Sequence, residues 1–158
     1  MEEQIKIIES LLHELLEKIN ISEYELEILK SQELPQFIIR TREAGILIGE
    51  GGQHLLSLSY LLRKMAERKF EEMGVEKILF FLDVNDYQAK KIRELKNLAK
   101  MTAQRVKYFK KEIELEPMPA YERRIIHSAL TDDPDIITES RGEEPNRRVV
   151  IKMQAEAF

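Results

Sequence analysis

Three glycines around one glutamate form the stretch of this sequence whose residue types best suit ligand binding. Gly49, Glu50, Gly51 and Gly52 lie between a short apolar run and a long amphipathic one, which Gln53 opens. Glycines let a sugar–phosphate chain approach the main chain without Cβ clashes, and N–H groups at a helix start point at a phosphate. The G-x-x-G spacing between two helices is typical of loops that clamp a single-stranded nucleic-acid backbone. A plain turn between helices is the alternative, since the charge of Glu50 opposes an anion.

An arginine and a histidine four positions apart form a second candidate site. On a helix, Arg123 and His127 stand one above the other. The apolar residues of this segment fill the other side of the helical wheel, so we expect Arg123, Arg124 and His127 to face solvent. Arg pairs with phosphate, and Arg or His stacks on an unpaired base. An ordinary surface pair is the alternative.

No catalytic constellation is visible in the sequence. The glycine stretch has no preceding strand, no G-x-G-x-x-G and no following G-K-[ST], which disfavours the two common nucleotide-binding loops and leaves a nucleotide hydrolase as a remote alternative. Zero cysteines exclude disulfides and thiolate nucleophiles. The acidic cluster of Asp132, Asp133 and Asp135 surrounds Pro134, and we interpret it as a turn rather than a metal site. We therefore predict a non-enzymatic protein without a cofactor or metal.

The charge of the chain is segregated. Its net charge is −4, but residues 1–85 carry −6, residues 86–111 carry +7 and residues 112–158 carry −5. Residues 86–111 are predicted to form one long helix with an apolar packing stripe that runs from Ile92 to Phe109. A second stripe at helical spacing is basic or amide throughout: Lys90, Arg93, Asn97, Lys100, Gln104, Lys107 and Lys111. Such a stripe suits phosphate attraction or, more commonly, simple solubility.

Periodicity predicts the elements that position these residues. Residues 1–85 read as α-β-β-α-α-β, with helices over 4–19, 42–49 and 53–73 and strands over 23–30, 36–41 and 75–84. The unbroken apolar run 78–82 predicts that the third strand is covered on both faces. Residues 86–158 read as the long helix, a short strand, a helix of about twelve residues that begins near Pro119, and a β-hairpin. The fold class is therefore α+β with two small domains.

Composition favours a folded protein of the cytoplasm. The chain is 43% hydrophobic and 34% charged, which is typical of folded rather than disordered sequences. No apolar run approaches the roughly 20 residues that cross a bilayer, so no membrane insertion is expected. The N-terminal MEEQIKIIES is acidic where a secretory signal begins basic.

Taken together, these patterns resemble a known bacterial family. Residues 1–85 resemble a type II KH domain, and residues 86–158 resemble an R-three-H domain, whose signature is the segment YERRIIHSAL followed by the hairpin motif PNRRVVI. This domain order is similar to the Jag family, also called the KhpB or SpoIIIJ-associated family. Family members usually begin with a Jag-N domain and a linker, which we expect this chain to lack. They also usually carry basic residues in the glycine loop, where this chain has Glu50 and Gly51.

The resemblance implies binding of single-stranded RNA and a role in post-transcriptional regulation, often with a small KH-only partner. It places Arg148 and Lys152 of the hairpin near the surface of Arg123 and His127. Single-stranded DNA remains open as a ligand. The chief alternative is a protein-interaction module, a KH fold with little RNA affinity that docks a protein on its apolar third strand.

Overall fold

The computed structural model describes residues 1–30 and 34–154, and its contacts divide the chain into two compact units, Met1–Ala89 and Lys90–Phe158. The helices are α1 (Glu2–Lys18), α2 (Ala44–Ile48), α3 (Gln53–Met73), α4 (Tyr87–Phe109) and α5 (Ala120–Leu130); the strands are β1 (Tyr24–Leu29), β2 (Gln36–Thr41), β3 (Phe81–Val84), β4 (Ile113–Glu114), β5 (Ile136–Arg141) and β6 (Arg148–Met153). This order confirms the predicted α+β class. Among the described residues, no helix has the length and apolar composition needed to cross a bilayer.

The first unit packs helices against a three-stranded sheet of order β1-β2-β3. β1 and β2 are antiparallel, and β2 and β3 are parallel. Along β1, Tyr24, Leu26 and Ile28 are half-buried against the core while the residues between them are exposed, as period-2 alternation predicts. The core is closed by apolar residues of α1 and α3, which pack against each other. The glycine loop is thus held between two helices that share this core.

The third strand is shorter than predicted. β3 covers only residues 81–84, and Leu79 is 69% exposed. The prediction that the apolar run 78–82 is covered on both faces was therefore wrong. β3 lies at the edge of the sheet and pairs only with β2, so one side of this strand has no strand partner among the described residues.

The second unit covers one face of a sheet of order β4-β6-β5 with α4 and α5. Its core joins Leu95, Ala99 and Val106 of α4 to Ile126 of α5 and Ile151 of β6. β6 lies between β4 and β5 and is antiparallel to both.

The end of α4 departs from the predicted helix. Phe109 was expected to end the packing stripe but is 59% exposed, and Lys111 lies beyond the last helical residue. The left-handed conformation of Lys110, with φ 56°, terminates the helix two residues early.

A buried carboxylate holds the start of α4. Asp83 is 1% exposed, and its Oδ1 accepts hydrogen bonds from the N–H groups of Val84 at 2.8 Å and Gln88 at 2.9 Å. Its Oδ2 accepts one from the N–H of Ala89 at 3.2 Å. The N–H groups of the first helical turn have no partner inside the helix. The Asp83 carboxylate accepts hydrogen bonds from those of Gln88 and Ala89, which would otherwise be unpaired.

We expect Asp83→Ala to lower the free energy of unfolding by about 2 kcal/mol, because it removes charge-assisted hydrogen bonds and leaves first-turn donors unpaired. Asp83→Asn keeps one carbonyl oxygen and should lose less. Urea denaturation followed by circular dichroism measures both. Equal stability of wild type and Asp83→Ala would contradict this role.

Candidate nucleic-acid interface

The glycine loop is a turn that contains three glycines with positive φ. Gly49, Gly51 and Gly52 have φ values of 70°, 60° and 82°, in the left-handed region that side chains with a Cβ rarely adopt. Gly49 ends α2, and Gly52 precedes the first residue of α3. The sequence-based prediction of a glycine turn between two helices is confirmed.

Two of the three glycines are also required by packing. A Cβ at Gly49 would overlap the imidazole of His54, whose Nδ1 lies 2.8 Å from the carbonyl oxygen of Ile46. A Cβ at Gly52 would lie 2.8 Å from Cε1 of Tyr87. At Gly51, by contrast, nothing stands within 4 Å of the Cβ position. The backbone at Gly51 therefore borders open space.

The loop presents backbone donors to solvent. Glu50 and Gly51 are exposed, and among the described residues nothing accepts a hydrogen bond from their N–H groups. The N–H groups of Gly52 and Gln53 are used within the turn, by the carbonyl oxygens of Gly49 and Glu50. The donors available to an anion are thus at Glu50 and Gly51, and Gln53 contributes none from its backbone.

A groove that sequence reasoning missed runs along α3, the helix that follows this loop, and Leu56 in the first turn of α3 lines it. It has a volume of about 270 Å³ and lies between α3 and β3. Tyr60 on its wall is 64% exposed, with the Nζ of Lys64 at 5.9 Å from the ring centroid. The Ser59 hydroxyl is buried and has no hydrogen-bond partner among the described residues. Leu56, Tyr60 and Arg63, at 4,3 spacing beside the core stripe of α3, were the signal in the sequence that indicated this second face.

The predicted exposure of the Arg–His pair was wrong. Arg123 is 7% exposed, and its guanidinium donates to the carbonyl oxygen of Met118 at 2.7 Å and to Oε1 of Glu144 at 2.6 Å. His127 is half-buried, with Thr138 Oγ1 at 2.7 Å from Nδ1 and Ser140 Oγ at 2.9 Å from Nε2. The helical wheel placed the buried face of α5 wrongly because it counted only apolar residues. α5 also buries Arg123 and His127, which find hydrogen-bond partners within the second unit. Only Arg124 of the three is exposed.

Burial determines the charge of His127. Removal of its imidazole from water lowers the pKa below the usual 6.5, and the neighbouring positive charge of Arg123 lowers the pKa further. A neutral imidazole has one donor and one acceptor nitrogen. Two hydroxyl partners, each able to donate or accept, match either tautomer.

The structure separates Arg148 and Lys152 from the Arg–His pair. Thr138 and Ser140, which contact His127, pair with Ile151 and Val149, and directly opposed residues share a face of the sheet. Side chains alternate along a strand, so Arg148 and Lys152 lie on the other face. There they form ion pairs, Arg148 with Glu114 at 3.7 Å and Lys152 with Glu139 at 2.8 Å. The predicted common surface was wrong.

The basic stripe is divided between exposed and paired cations. Lys107 donates to Asp133 Oδ1 at 2.7 Å and Asp135 Oδ2 at 3.0 Å, so two carboxylates already neutralise it, and these hydrogen bonds raise its pKa. Lys90 is exposed, with Glu94 at 3.9 Å. The remaining basic members of the predicted stripe are exposed and have no carboxylate partner in the described part of the chain: Arg93, Lys100 and Lys111.

The acidic cluster acts as a turn and an anchor for Lys107. Asp133 Oδ1 also accepts a hydrogen bond from the N–H of Asp135 at 3.2 Å. Within residues 1–30 and 34–154, no three His, Cys, Asp or Glu side chains converge as metal ligands do.

Comparison with known proteins identifies the family. Residues 93–153 match the model of the R-three-H domain. The RNA-binding protein KhpB of Clostridium symbiosum is 42% identical over 114 residues, which are 72% of this chain and 50% of that protein. The RNA-binding protein KhpB of Bacillus subtilis (strain 168) is 33% identical over 132 residues, 80% of this chain and 60% of that protein. The chain belongs to the KhpB family.

Family membership confirms the resemblance inferred from the sequence. The chain spans about half the length of KhpB from C. symbiosum. The R-three-H match begins inside α4 and ends with the last residue of β6. In this KhpB-family chain the Arg and His of the R-three-H match are therefore structural contacts as well as candidate ligand contacts.

We expect Arg123→Ala to destabilise the second unit by about 1.5–3 kcal/mol, because charge-assisted hydrogen bonds are lost and the Met118 carbonyl loses its partner. Arg124→Ala is the matched control, since it removes the same charge from the next, exposed position and should stay within about 0.5 kcal/mol. Melting temperatures of the two variants measure the difference. Equal shifts would contradict the buried role of Arg123.

The lowered pKa of His127 predicts a stability that falls in mild acid. As pH drops through about 6.5, His127 binds a proton in the unfolded chain but not yet in the native one, because its native pKa is lower. The free energy of unfolding therefore declines until the pH falls below the native pKa. His127→Gln removes this titration and should flatten the dependence. Urea unfolding at pH 7.5 and pH 5.5 tests this. The same loss in wild type and His127→Gln would exclude His127 as its source.

Proposed function

We propose that this KhpB-family chain binds single-stranded RNA through the glycine loop of its first unit. The observation that carries the proposal is the pair of unused N–H donors at Glu50 and Gly51, above open space that a phosphate can enter. Backbone donors recognise phosphate without regard to base identity. A strand held in this way can follow α3 to the groove, since Leu56 in the first turn of that helix lines it.

The groove supplies contacts for bases. Tyr60 offers an exposed ring on which an unpaired base stacks, and Leu56 extends that apolar surface. Arg63 lies at the same groove and suits a phosphate or a stacked base. Apolar and polar groups of this kind bind single-stranded rather than paired nucleic acid.

The second unit adds positive charge. The exposed cations of α4 supply attraction for the phosphate backbone that does not depend on sequence. Arg124 is available on α5, whereas Arg123 and His127 contribute directly only if their present partners release them. We therefore assign the main RNA contacts to the first unit and an additional electrostatic contribution to α4.

The relatives named RNA-binding proteins support this proposal. A binding protein rather than an enzyme fits the absence of a catalytic constellation in the sequence. Post-transcriptional regulation in the cytoplasm, together with a small KH-only partner, completes the proposal.

Docking of a protein is the second candidate function, and Glu50 is the observation that favours it. Its exposed carboxylate stands beside the two free donors and repels phosphate. Leu79, exposed before β3, offers an apolar contact. Phosphate binding weakens steeply with salt and apolar docking does not, so the salt dependence of complex formation distinguishes the two functions.

We expect Gly51→Asp to weaken binding of a short single-stranded RNA about fivefold or more, because a second carboxylate about 4 Å from a phosphate costs about 1 kcal/mol even at the dielectric constant of water. Gly51→Asn is the matched control. Asn has the same shape, tolerates the left-handed conformation and is neutral, so it should lose less. Fluorescence anisotropy measures both affinities.

Glu50→Gln should strengthen binding in the same assay. If neither Gly51→Asp nor Glu50→Gln alters affinity, the glycine loop is not the RNA site.

A further inference from the structure

An exposed pair of aromatic rings ends α4. Tyr108 is 81% exposed and Phe109 is 59% exposed. Their centroids are 4.9 Å apart with an interplanar angle of 85°. This edge-to-face contact occupies one face of one ring, so the remaining ring faces stay accessible. The two rings are adjacent and form one exposed apolar patch, and patches rather than single exposed side chains mark interaction sites.

The rings lie within the most strongly positive part of the chain. Arg105, Lys110 and Lys111 are exposed and have no carboxylate partner among the described residues. Arg105 is three residues before Tyr108, on the same side of the helix. Residues 86–111 carry a net charge of +7. This combination of aromatic faces and free cations complements a polyanion with planar bases.

The conformation of Lys110 supports a role for its charge. Lys110 has φ 56°, and its N–H donates to the carbonyl oxygen of Val106 at 2.9 Å to close α4. Glycine is the usual residue at such a left-handed helix end. A lysine there is strained, yet it adds a cation beside the two rings. Lysine at this position therefore suits ligand contact better than it suits helix termination.

We propose that Tyr108 and Phe109, with Arg105, Lys110 and Lys111, form a base-stacking site for single-stranded RNA at the end of α4. The site rests on the proposed RNA-binding function and adds a contact separate from the glycine loop. The rings stack on one or two unpaired bases, and the cations hold the flanking phosphates. The charge complementarity favours RNA over an apolar protein as the occupant.

The test compares two labelled probes on the full chain, a 12-nucleotide oligouridine and an abasic ribose–phosphate oligomer of equal length. Tyr108→Leu combined with Phe109→Leu should weaken oligouridine binding about 5- to 150-fold for each stacked base lost. The affinity for the abasic oligomer should stay within about twofold, since its phosphate contacts remain and a base is what stacking requires. Tyr108→Phe keeps the ring and is the matched control, which should bind both probes like wild type.

Lys110→Gly separates the cation from the helix end. Because glycine relieves the left-handed strain, its melting temperature should stay equal or rise. Its affinity for both probes should fall, and its salt slope should flatten by about 0.7. A lysine needed only for stability would give the opposite result in the melting experiment.

Two outcomes overturn the site. If the double leucine variant loses equal affinity for both probes, the rings do not contact bases. If its affinity for oligouridine is unchanged, the rings do not bind RNA, and a protein partner becomes the better explanation of the patch. If Gly51→Asp weakens RNA binding while Tyr108→Leu combined with Phe109→Leu does not, the proposed function is supported and the stacking site is excluded. If the wild-type chain binds neither probe, the proposed function itself fails and this inference with it.

Discussion

The space beside Gly49 and Gly52 is filled by the rings of His54 and Tyr87, so no side chain can stand at either position. This steric constraint makes α2 and α3 meet in a turn of left-handed residues. Leu47 of α2 and Leu55 of α3 can then enter one core. The same constraint directs the N–H groups of Glu50 and Gly51 outward. Close packing on the inner side of the loop thus creates the exposed backbone on its outer side.

The second unit buries several polar side chains of α5 and pairs each of them. α5 lays Glu122, Arg123 and His127 toward the interior, and each finds a partner: Lys91 at 3.5 Å for Glu122, and the contacts described above for the other two. A buried charge that is left unpaired is strongly unfavourable. The Arg and His of the R-three-H match therefore join α5 to the hairpin. Their value to the fold is independent of any ligand.

Hydrophobic periodicity was sufficient to predict the elements, because packing requires apolar residues to recur at the period of each element. It failed where polar residues are buried, as at Arg123, and where an apolar run is partly exposed beside the edge strand, as at Leu79. Alternation along β6 could have separated Arg148 and Lys152 from the face of His127. The spacing of Leu56, Tyr60 and Arg63 indicated a second face of α3. That β3 forms the other wall of the groove, and that Asp133 neutralises Lys107, could not be predicted, since both depend on which segments meet.

The central strand of the second sheet is also its last in sequence. β6 pairs with β4 on one side and β5 on the other, so β4 and β5 have no common partner until residues 148–153 are present. The core of the first unit draws only on residues that precede Lys90. During synthesis on the ribosome, the contacts of the first unit become available early. The sheet of the second unit, in contrast, can form only after β6 leaves the exit tunnel. Until then β4 and β5 both lack the strand with which they pair.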